Sequence, residues 1–594
     1  MKLRKSNEPP APARRPAAKK AQPAQPATPV RPEVENGGAR LGELLVSRRA
    51  VKKADLTEAL LQQEASGKRL GTLLVELGAV DERIVTAALA DQLGVPVADL
   101  GRLAADPAAL SLIPEDVART LHAIPIAANG QRVDIAVADP LDEGVRGELR
   151  RVSGREVALY IAAPSDIRHA IDRSYRALVG VERHVQAFEA TESTRARAKV
   201  AAEPTVEEDA PVVEVVNLLI TQALRDRASD VHVEPQEKKI RVRYRIDGAL
   251  HDVLTVPGTM GPALVSRIKI MAGMNIVERR RSQDGQIETS VDGRPLDIRV
   301  ATTATIWGEK AVLRLLDKSR GLYRLDELGM TPEMHDAFSR VAHSPFGMVI
   351  CAGPTGSGKT TTLYATIAEI NQPHRNIVTI EDPVEYVLPS INQIQINEAA
   401  GVTFAAGLKS ILRQDPDVIL VGEVRDVDTA RIAFQSALTG HLVLSTLHAT
   451  DSAAALHRFL DMGIEAFLVA SSVLAVVAQR LVRRICTHCR APYTPSPEEL
   501  SFFTESGGKN KTRFWQGEGC NYCAGTGYEG RIGVYELMRI TPEIKRLVVG
   551  WATQDDIARL AVSQGMSTLR QEGIRLVAQD VTTIAEVIRN IYTQ

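Results

Sequence analysis

Residues 353–360 read Gly353, Pro354, Thr355, Gly356, Ser357, Gly358, Lys359 and Thr360, followed by Thr361, and so satisfy the pattern G-x-x-x-x-G-K-[ST]. A glycine-rich loop of this kind lets backbone N–H groups converge on phosphate oxygens at a helix N-terminus. Lys359 adds a point charge for the β/γ oxygens and Thr360 a hydroxyl for Mg²⁺, so the loop predicts ATP bound with magnesium. The apolar run GMVICAG before it and the amphipathic TTLYATIAEI after it supply the strand and helix that the motif needs.

Three further clusters extend that chemistry. An apolar strand ends in Gly422-Glu423, which places a carboxylate where it can polarise an attacking water, although glycine stands where many P-loop enzymes carry a Mg²⁺-binding Asp. Glu381 and Glu385, in IEDPVEY, follow another core strand, and open α/β sheets bind ligands at the carboxyl ends of their strands. They are candidates for orienting the water or supporting the groups that do; the alternative is an ordinary Asp-Pro turn. His441 and His448 bracket LVLST, a strand that can bring Ser445, Thr446 and His448 beside the terminal phosphate as neutral hydrogen-bond sensors, with His441 a further catalytic candidate.

Cys486, Cys489, Cys520 and Cys523 form two Cys-x-x-Cys pairs, which suit a closed tetrahedral Zn²⁺ site in a reducing compartment better than a secreted disulfide framework. Reduced, metal-free cysteines are the alternative. His488 is expected to point away from the metal, and Cys351, in an apolar run, to be buried.

These residues need a scaffold. A chain of 594 residues exceeds one hydrophobic core, so several domains are expected, and a formal net charge of −1 gives no field that would favour nucleic acid or anionic lipid. The basic N-terminus has proline and charge where a signal peptide needs an apolar stretch, so export is not expected. The longest apolar run, Ala466 to Ala478, falls short of the roughly 20 residues of a bilayer-spanning helix and reads as a core helix.

Composition and periodicity divide the chain. Residues 1–38, rich in Pro, Ala and basic residues, read as a disordered tail. Residues 39–175 form a module with a tandem repeat, Arg40-Leu41-Gly42 to Gln63 and Arg69-Leu70-Gly71 to Gln92, in which Leu56 and Leu60 are matched by Val85 and Leu89 at helical spacing. A small α/β part with RVDIAVAD and PSDIRHAIDRSY completes it, and 176–210 reads as a flexible linker. In 211–320, Ile240, Val242, Tyr244 and Ile246 alternate with Arg241, Arg243 and Arg245 before an Asp247-Gly248 turn, the signature of a half-buried hairpin. From 321 to 594 the runs GMVICAG, NIVTIED, DVILVGE and HLVLST suit parallel strands covered on both faces. The cysteine segment spans 484–535, and 541–594 is helical by spacing. The expected class is α/β and multidomain: a RecA-like P-loop core with a zinc-binding insertion, preceded by an α+β domain and an N-terminal helical and α+β module.

The order GPTGSGKTTTLY, IEDPVEY, LRQDPDVILVGEVRD, TGHLVLSTLHA, the paired cysteines and GYEGRIGVYEL resembles the type II secretion and type IV pilus assembly ATPases. The resemblance extends upstream through ASDVHVEP, RYRIDGAL and DIRVATTATIWGEKAVLRLL, and it covers nearly everything after residue 39. It implies a hexameric ATPase driving type IV pilus assembly or type II secretion, and a PAS-like domain at 211–320. In such hexamers that domain reaches a neighbour's nucleotide, so Arg299 and Arg314 are implied as trans arginines. The family commonly has Gln-Asp-Gly-Arg where this chain has Gln283-Asp284-Gly285-Gln286.

The doubled repeat resembles the N-terminal module that binds cyclic di-GMP in some of these ATPases. The resemblance assigns Arg40, Leu41, Gly42, Gln63, Arg69, Leu70, Gly71 and Gln92 to that ligand, with Asp139 as an addition. The first copy has Arg49 where the pattern has glycine, which predicts an altered loop. A plain helical docking module is the alternative. The implied setting is the cytoplasmic face of the inner membrane, reached through a platform protein and an adaptor rather than by insertion. A nucleic-acid translocase using RVRYR is disfavoured by the neutral charge and the lack of recurring aromatics among the arginines. A non-hydrolysing scaffold would have no need of Glu423.

Overall fold

The computed structural model describes residues 41–101, 103, 105–175, 178, 181–198, 211–317, 323–509 and 511–591. The expected tail over 1–38 and Arg40 lie outside the described residues.

The centre of the molecule is a seven-stranded sheet. Its order is Asn392–Gln395, Ile377–Glu381, Val418–Val421, Leu442–Leu447, Gly347–Ala352, Val473–Ile485 and Tyr528–Arg539. Every neighbouring pair is parallel except the last. The strand Gly347–Ala352 is buried throughout, and its side chains alternate between two cores. Met348, Ile350 and Ala352 join the cluster under the helices Val427–Leu438 and Ser452–Asp461, while Val349 and Cys351 join Phe338, Leu363 and Tyr364 on the opposite face. Period-2 alternation between two helical layers explains why the strand reads as one apolar run. Burial pushes the Cys351 thiol up to about 12, so it is an inert core residue.

Part of the run 466–478 departs from its expected helix. Ala466–Ser472 is helical, but Val473 begins a strand that continues to Ile485. Its β-branched valines alternate against Met348–Ala352 on one side and Glu536–Arg539 on the other, and sheet pairing overrides the ambiguous apolar pattern.

Upstream lies an antiparallel six-stranded sheet, ordered Ala249–Pro257, Lys239–Ile246, Asp230–Pro235, Gly308–Asp317, Arg294–Thr305 and Gln283–Val291. The expected hairpin at Asp247-Gly248 joins its first two strands, and the buried Tyr244 hydroxyl donates to the Leu219 carbonyl at 2.7 Å, fixing the helix Pro211–Arg225 on that face. The expected flexible linker is corrected over Val181–Ala198, which is an 18-residue helix. Val181, Val185 and Phe188, at i, i+4 and i+7, pack on this same core, a stripe that the surrounding charges obscure in the sequence. Residues 199–210 of that expectation lie outside the described residues.

The repeat folds as two helix pairs, Leu41–Ser47 with Lys53–Ser66 and Leu70–Glu76 with Glu82–Leu93. Gly42 and Gly71 occupy equivalent places: a Cβ on either would fall 2.9 Å from Leu56 or 2.8 Å from Val85 of its own pair. The turn after the first helix is not altered as expected, because Arg49 takes φ 57°, close to the 68° of Gly78 at the same place in the second copy. The loop geometry is kept, and arginine carries the cost of the left-handed conformation. The α/β part has the strand Arg132–Val137 antiparallel to Ala123–Asn129 and parallel to Glu156–Ile161.

Candidate functional site

The loop 353–358 joins the central strand to the helix Lys359–Ile370. Gly356 and Gly358 have φ of 76° and 88°, which the close turn around a phosphate requires. Lys359 is 9% exposed, its Nζ donates to the carbonyls of Gly353 at 2.9 Å and Pro354 at 3.0 Å, and burial lowers its pKa below the ordinary lysine value. An anion brought beside this ammonium would oppose that desolvation.

Gln479 and Arg480 were not singled out in the sequence. Gln479 donates from Nε2 to the Ser357 carbonyl at 2.8 Å, and its own carbonyl lies 2.7 Å from where a Gly353 Cβ would stand, so it braces the loop from the neighbouring strand. Arg480, 8% exposed, donates to the Gln479 and Thr450 carbonyls at 3.0 and 2.7 Å. The available signal was a polar pair interrupting the apolar run AVVAQRLV, in the middle of what folds as the strand Val473–Ile485.

Glu423 follows the strand Val418–Val421 and is half-buried. It pairs with Arg425, which also lies 3.7 Å from Asp382, and its Oε2 is 3.6 Å from the exposed His448 Nε2. Gly422 stands where an added Cβ would be 3.2 Å from the Ile380 carbonyl and 3.3 Å from the Glu381 Cα, so a larger residue would push the two strands apart. The Ser445 and Thr446 hydroxyls donate to the Val421 and Gly422 carbonyls at 2.7 and 2.8 Å, locking these strand ends together.

The two histidines are separated. His448 lies beyond the carboxyl end of Leu442–Leu447, whereas His441 precedes it, with Nδ1 3.0 Å from the Ser436 carbonyl. A six-residue strand spans roughly 20 Å, so His448 stands at the end of the sheet that carries the phosphate loop and His441 at the opposite end within this subunit.

Glu381 and Glu385 also divide. Glu381 is 3% exposed and accepts hydrogen bonds from the Tyr364 and Thr379 hydroxyls, the latter at 2.6 Å, and from Gln393 Nε2 at 3.2 Å. That is a saturated, buried carboxylate anchoring the helix after the phosphate loop, not a group free to activate water. Glu385 instead faces the upstream sheet, where Arg299 donates to it at 3.2 Å and to the Val384 carbonyl at 3.3 Å.

Arg299 belongs to a row of side chains across that sheet. Successive strands place Arg245, Asp230, Arg314, Arg299 and Gln286 in register. Asp230 holds Arg314 at 3.1 Å and Arg245 at 3.7 Å, and Gln286 donates to Asp297 at 2.8 Å. Arg299, Arg314 and Gln286 line a cleft of about 720 Å³ together with Pro383, Val384 and Val387. The residue that departs from the family pattern therefore still sits beside Arg299 in the row, without a charge.

The four cysteines converge. Their sulfurs lie within 4.8 Å of one another, with Cys486 to Cys520 at 3.7 Å, Cys489 to Cys523 at 3.8 Å and Cys520 to Cys523 at 3.8 Å. Zn–S bonds of about 2.3 Å in a tetrahedron require sulfur edges of about 3.8 Å, and these separations are far beyond a disulfide. Amides of Gly519, Cys520 and Gly527 donate to the Cys489 and Cys523 sulfurs at 3.2 to 3.3 Å, as thiolate ligands need. The donor set fits zinc, and His488 lies outside it.

In the repeat module, Arg69 forms an ion pair with Asp139, which joins the two residues assigned to one ligand by resemblance. Gln92 is exposed and Gln63 half-buried, while Leu41 and Leu70 pack into the module's small core.

Comparison with known proteins agrees with this geometry. The family described as Type II/IV secretion system protein matches residues 205–589, and the MshEN domain matches residues 93–180. The chain is 40% identical over 573 residues to the type IV pilus assembly ATPase PilB of Myxococcus xanthus, covering 93% of this chain and 98% of that one. It is 39% identical over 576 residues to the type II secretion system protein E of Xanthomonas campestris pv. campestris, covering 94% and 99%. To the type II secretion system protein HxcR of Pseudomonas aeruginosa it is 50% identical over 383 residues, covering 64% and 78%. With its phosphate loop, Glu423 and cysteine cluster placed in one fold, the chain belongs to the type II/IV secretion system protein family and is an ATPase of that family.

Proposed function

We infer that the protein is a Mg²⁺-dependent ATP-hydrolysing motor that works as a homo-hexamer and powers type IV pilus assembly or type II protein secretion. The observation that carries this reading is the buried Lys359 in its phosphate loop together with Glu423 at the end of Val418–Val421, the core strand next but one in the sheet. Lys359 and the loop amides would hold the β/γ-phosphates, and the Thr360 hydroxyl would face Mg²⁺, which neutralises developing charge on the phosphoryl oxygens when bound. Glu423 accepts the proton of the attacking water, with His448 and Arg425 beside it. Arg299 and Arg314 supply positive charge from the upstream sheet to a neighbouring subunit's nucleotide. In this reading Glu381 positions the helix Lys359–Ile370, and Glu385 holds Arg299 within its own subunit until the arginine turns to the neighbour.

The membrane machinery is reached through partners, an inner-membrane platform protein and an adaptor, from the cytoplasmic side; among the described residues no helix is long and apolar enough to cross a membrane. Zinc is held by the four cysteines. The repeat module takes cyclic di-GMP, with Arg69 exchanging Asp139 for a phosphate or guanine of a two-fold-symmetric ligand that matches the doubled helix pairs. ATP turnover by the purified full chain, with its assembly state measured by mass photometry, tests the reading: a Mg²⁺-independent or absent turnover in a hexamer would overturn it.

A further inference from the structure

The two residues between Cys520 and Cys523 do not touch the metal position; they project into the N-terminal module. Tyr522, 7% exposed, enters a cavity of about 260 Å³ lined by Leu100, Leu103, Ile126, His169 and Arg173. At Gly101 an added Cβ would stand 2.4 Å from Tyr522 Cε2, so only glycine lets the ring seat. Asn521 donates from Nδ2 to the Leu103 carbonyl at 3.1 Å and from its amide to the Gly101 carbonyl at 3.4 Å, while its own carbonyl accepts from Arg173.

The other Cys-x-x-Cys pair contributes from the opposite side. His488 stacks on Tyr522 with centroids 3.6 Å apart and planes at 18°, and its Nε2 accepts from Arg83 at 2.6 Å. Arg83 is held by Asp166 at 3.1 Å and lies 5.8 Å over the same ring. An aromatic sandwiched in this way, with backbone and side-chain hydrogen bonds around it, has the form of an interface anchor and not of a chance surface contact.

The cysteine cluster is wired to the phosphate loop through one strand. Val473–Ile485 passes Ser357 at Gln479 and reaches Cys486 immediately after its last residue. The module also touches the upstream sheet's helix, where Arg225 pairs with Glu115 at 2.7 Å and donates to the Tyr175 carbonyl at 3.2 Å. It thus spans the upstream domain and the cysteine cluster together.

We propose that the Asn521–Tyr522 turn, shaped by its flanking metal ligands, is the peg that seats the N-terminal module on the ATPase core, so that losing the turn or its metal releases the module. The metal dependence rests on the zinc reading above, and metal content is measured separately so that the two can fail independently.

Hydrogen exchange of the full chain tests this. Tyr522→Ala and Gly101→Ala attack the contact from opposite sides, and each should speed exchange of residues 98–110 and 164–175 about tenfold or more, with zinc content and exchange of 359–370 as in the parent. Stripping zinc with a chelator should accelerate the same two segments. Unchanged exchange there in Gly101→Ala, or after zinc has been removed, overturns the proposal. If Tyr522→Ala loses zinc, Gly101→Ala alone decides, since it leaves the cysteine turn untouched.

Discussion

Arg299 and Glu385 are joined within one subunit, with guanidinium to carboxylate contacts of 3.1 and 3.2 Å across the seam between the upstream sheet and the core. An arginine that serves a neighbouring nucleotide must leave this partner, so the pair is a cis contact that competes with a trans one.

Replacing Arg299 by Ala should lower kcat by about tenfold or more, while Glu385→Ala should leave the arginine free and cost less. Because both side chains are about a third exposed, their coupling in a double-mutant cycle on thermal stability should be no more than about 1 kcal/mol. A larger coupling with unchanged kcat would make the pair purely structural.

Glu381 and Glu423 should respond differently to the same change. Glu381→Gln replaces an acceptor oxygen with a donor inside a buried network and should destabilise the chain by about 1–3 kcal/mol in denaturant unfolding. Glu423→Gln, at a half-buried strand end, should unfold close to the parent midpoint. Equal stability of the two variants would contradict the division of roles.

Arg49→Gly relieves a left-handed arginine and should be neutral to stabilising by up to about 1 kcal/mol, since the gain offsets glycine's extra unfolded-state entropy. In calorimetry on the full chain, cyclic di-GMP should bind the parent, and Arg69→Ala should weaken it by about tenfold or more. Absence of heat at tens of micromolar ligand would return the repeat to a docking role.

The site was partly legible because some chemistry is local. The phosphate loop and the two Cys-x-x-Cys pairs carry their spacing in consecutive residues, and so does the doubled repeat. What depended on long-range pairing was not. Val473 to Ala478 is as apolar as a helix, and only its neighbours in the sheet make it a strand. The helix Val181–Ala198 likewise hid a narrow apolar stripe among charges. Gln479 is a loop brace only because its strand lies beside Gly353, which no spacing reveals.

Metal analysis of reduced protein prepared without chelator should find about one zinc per chain, and Cys523→Ser should lose it together with part of the stability, because a structural site contributes to folding. Stoichiometric absence of zinc in a folded parent would contradict the assignment.

The most direct test of the motor is the pair Lys359→Ala and Glu423→Gln, assayed side by side for nucleotide binding and turnover with Mg²⁺. Lys359→Ala should abolish ATP binding, and Glu423→Gln should bind ATP like the parent while turnover falls by at least about a hundredfold. Normal turnover by Glu423→Gln would contradict the account at its centre.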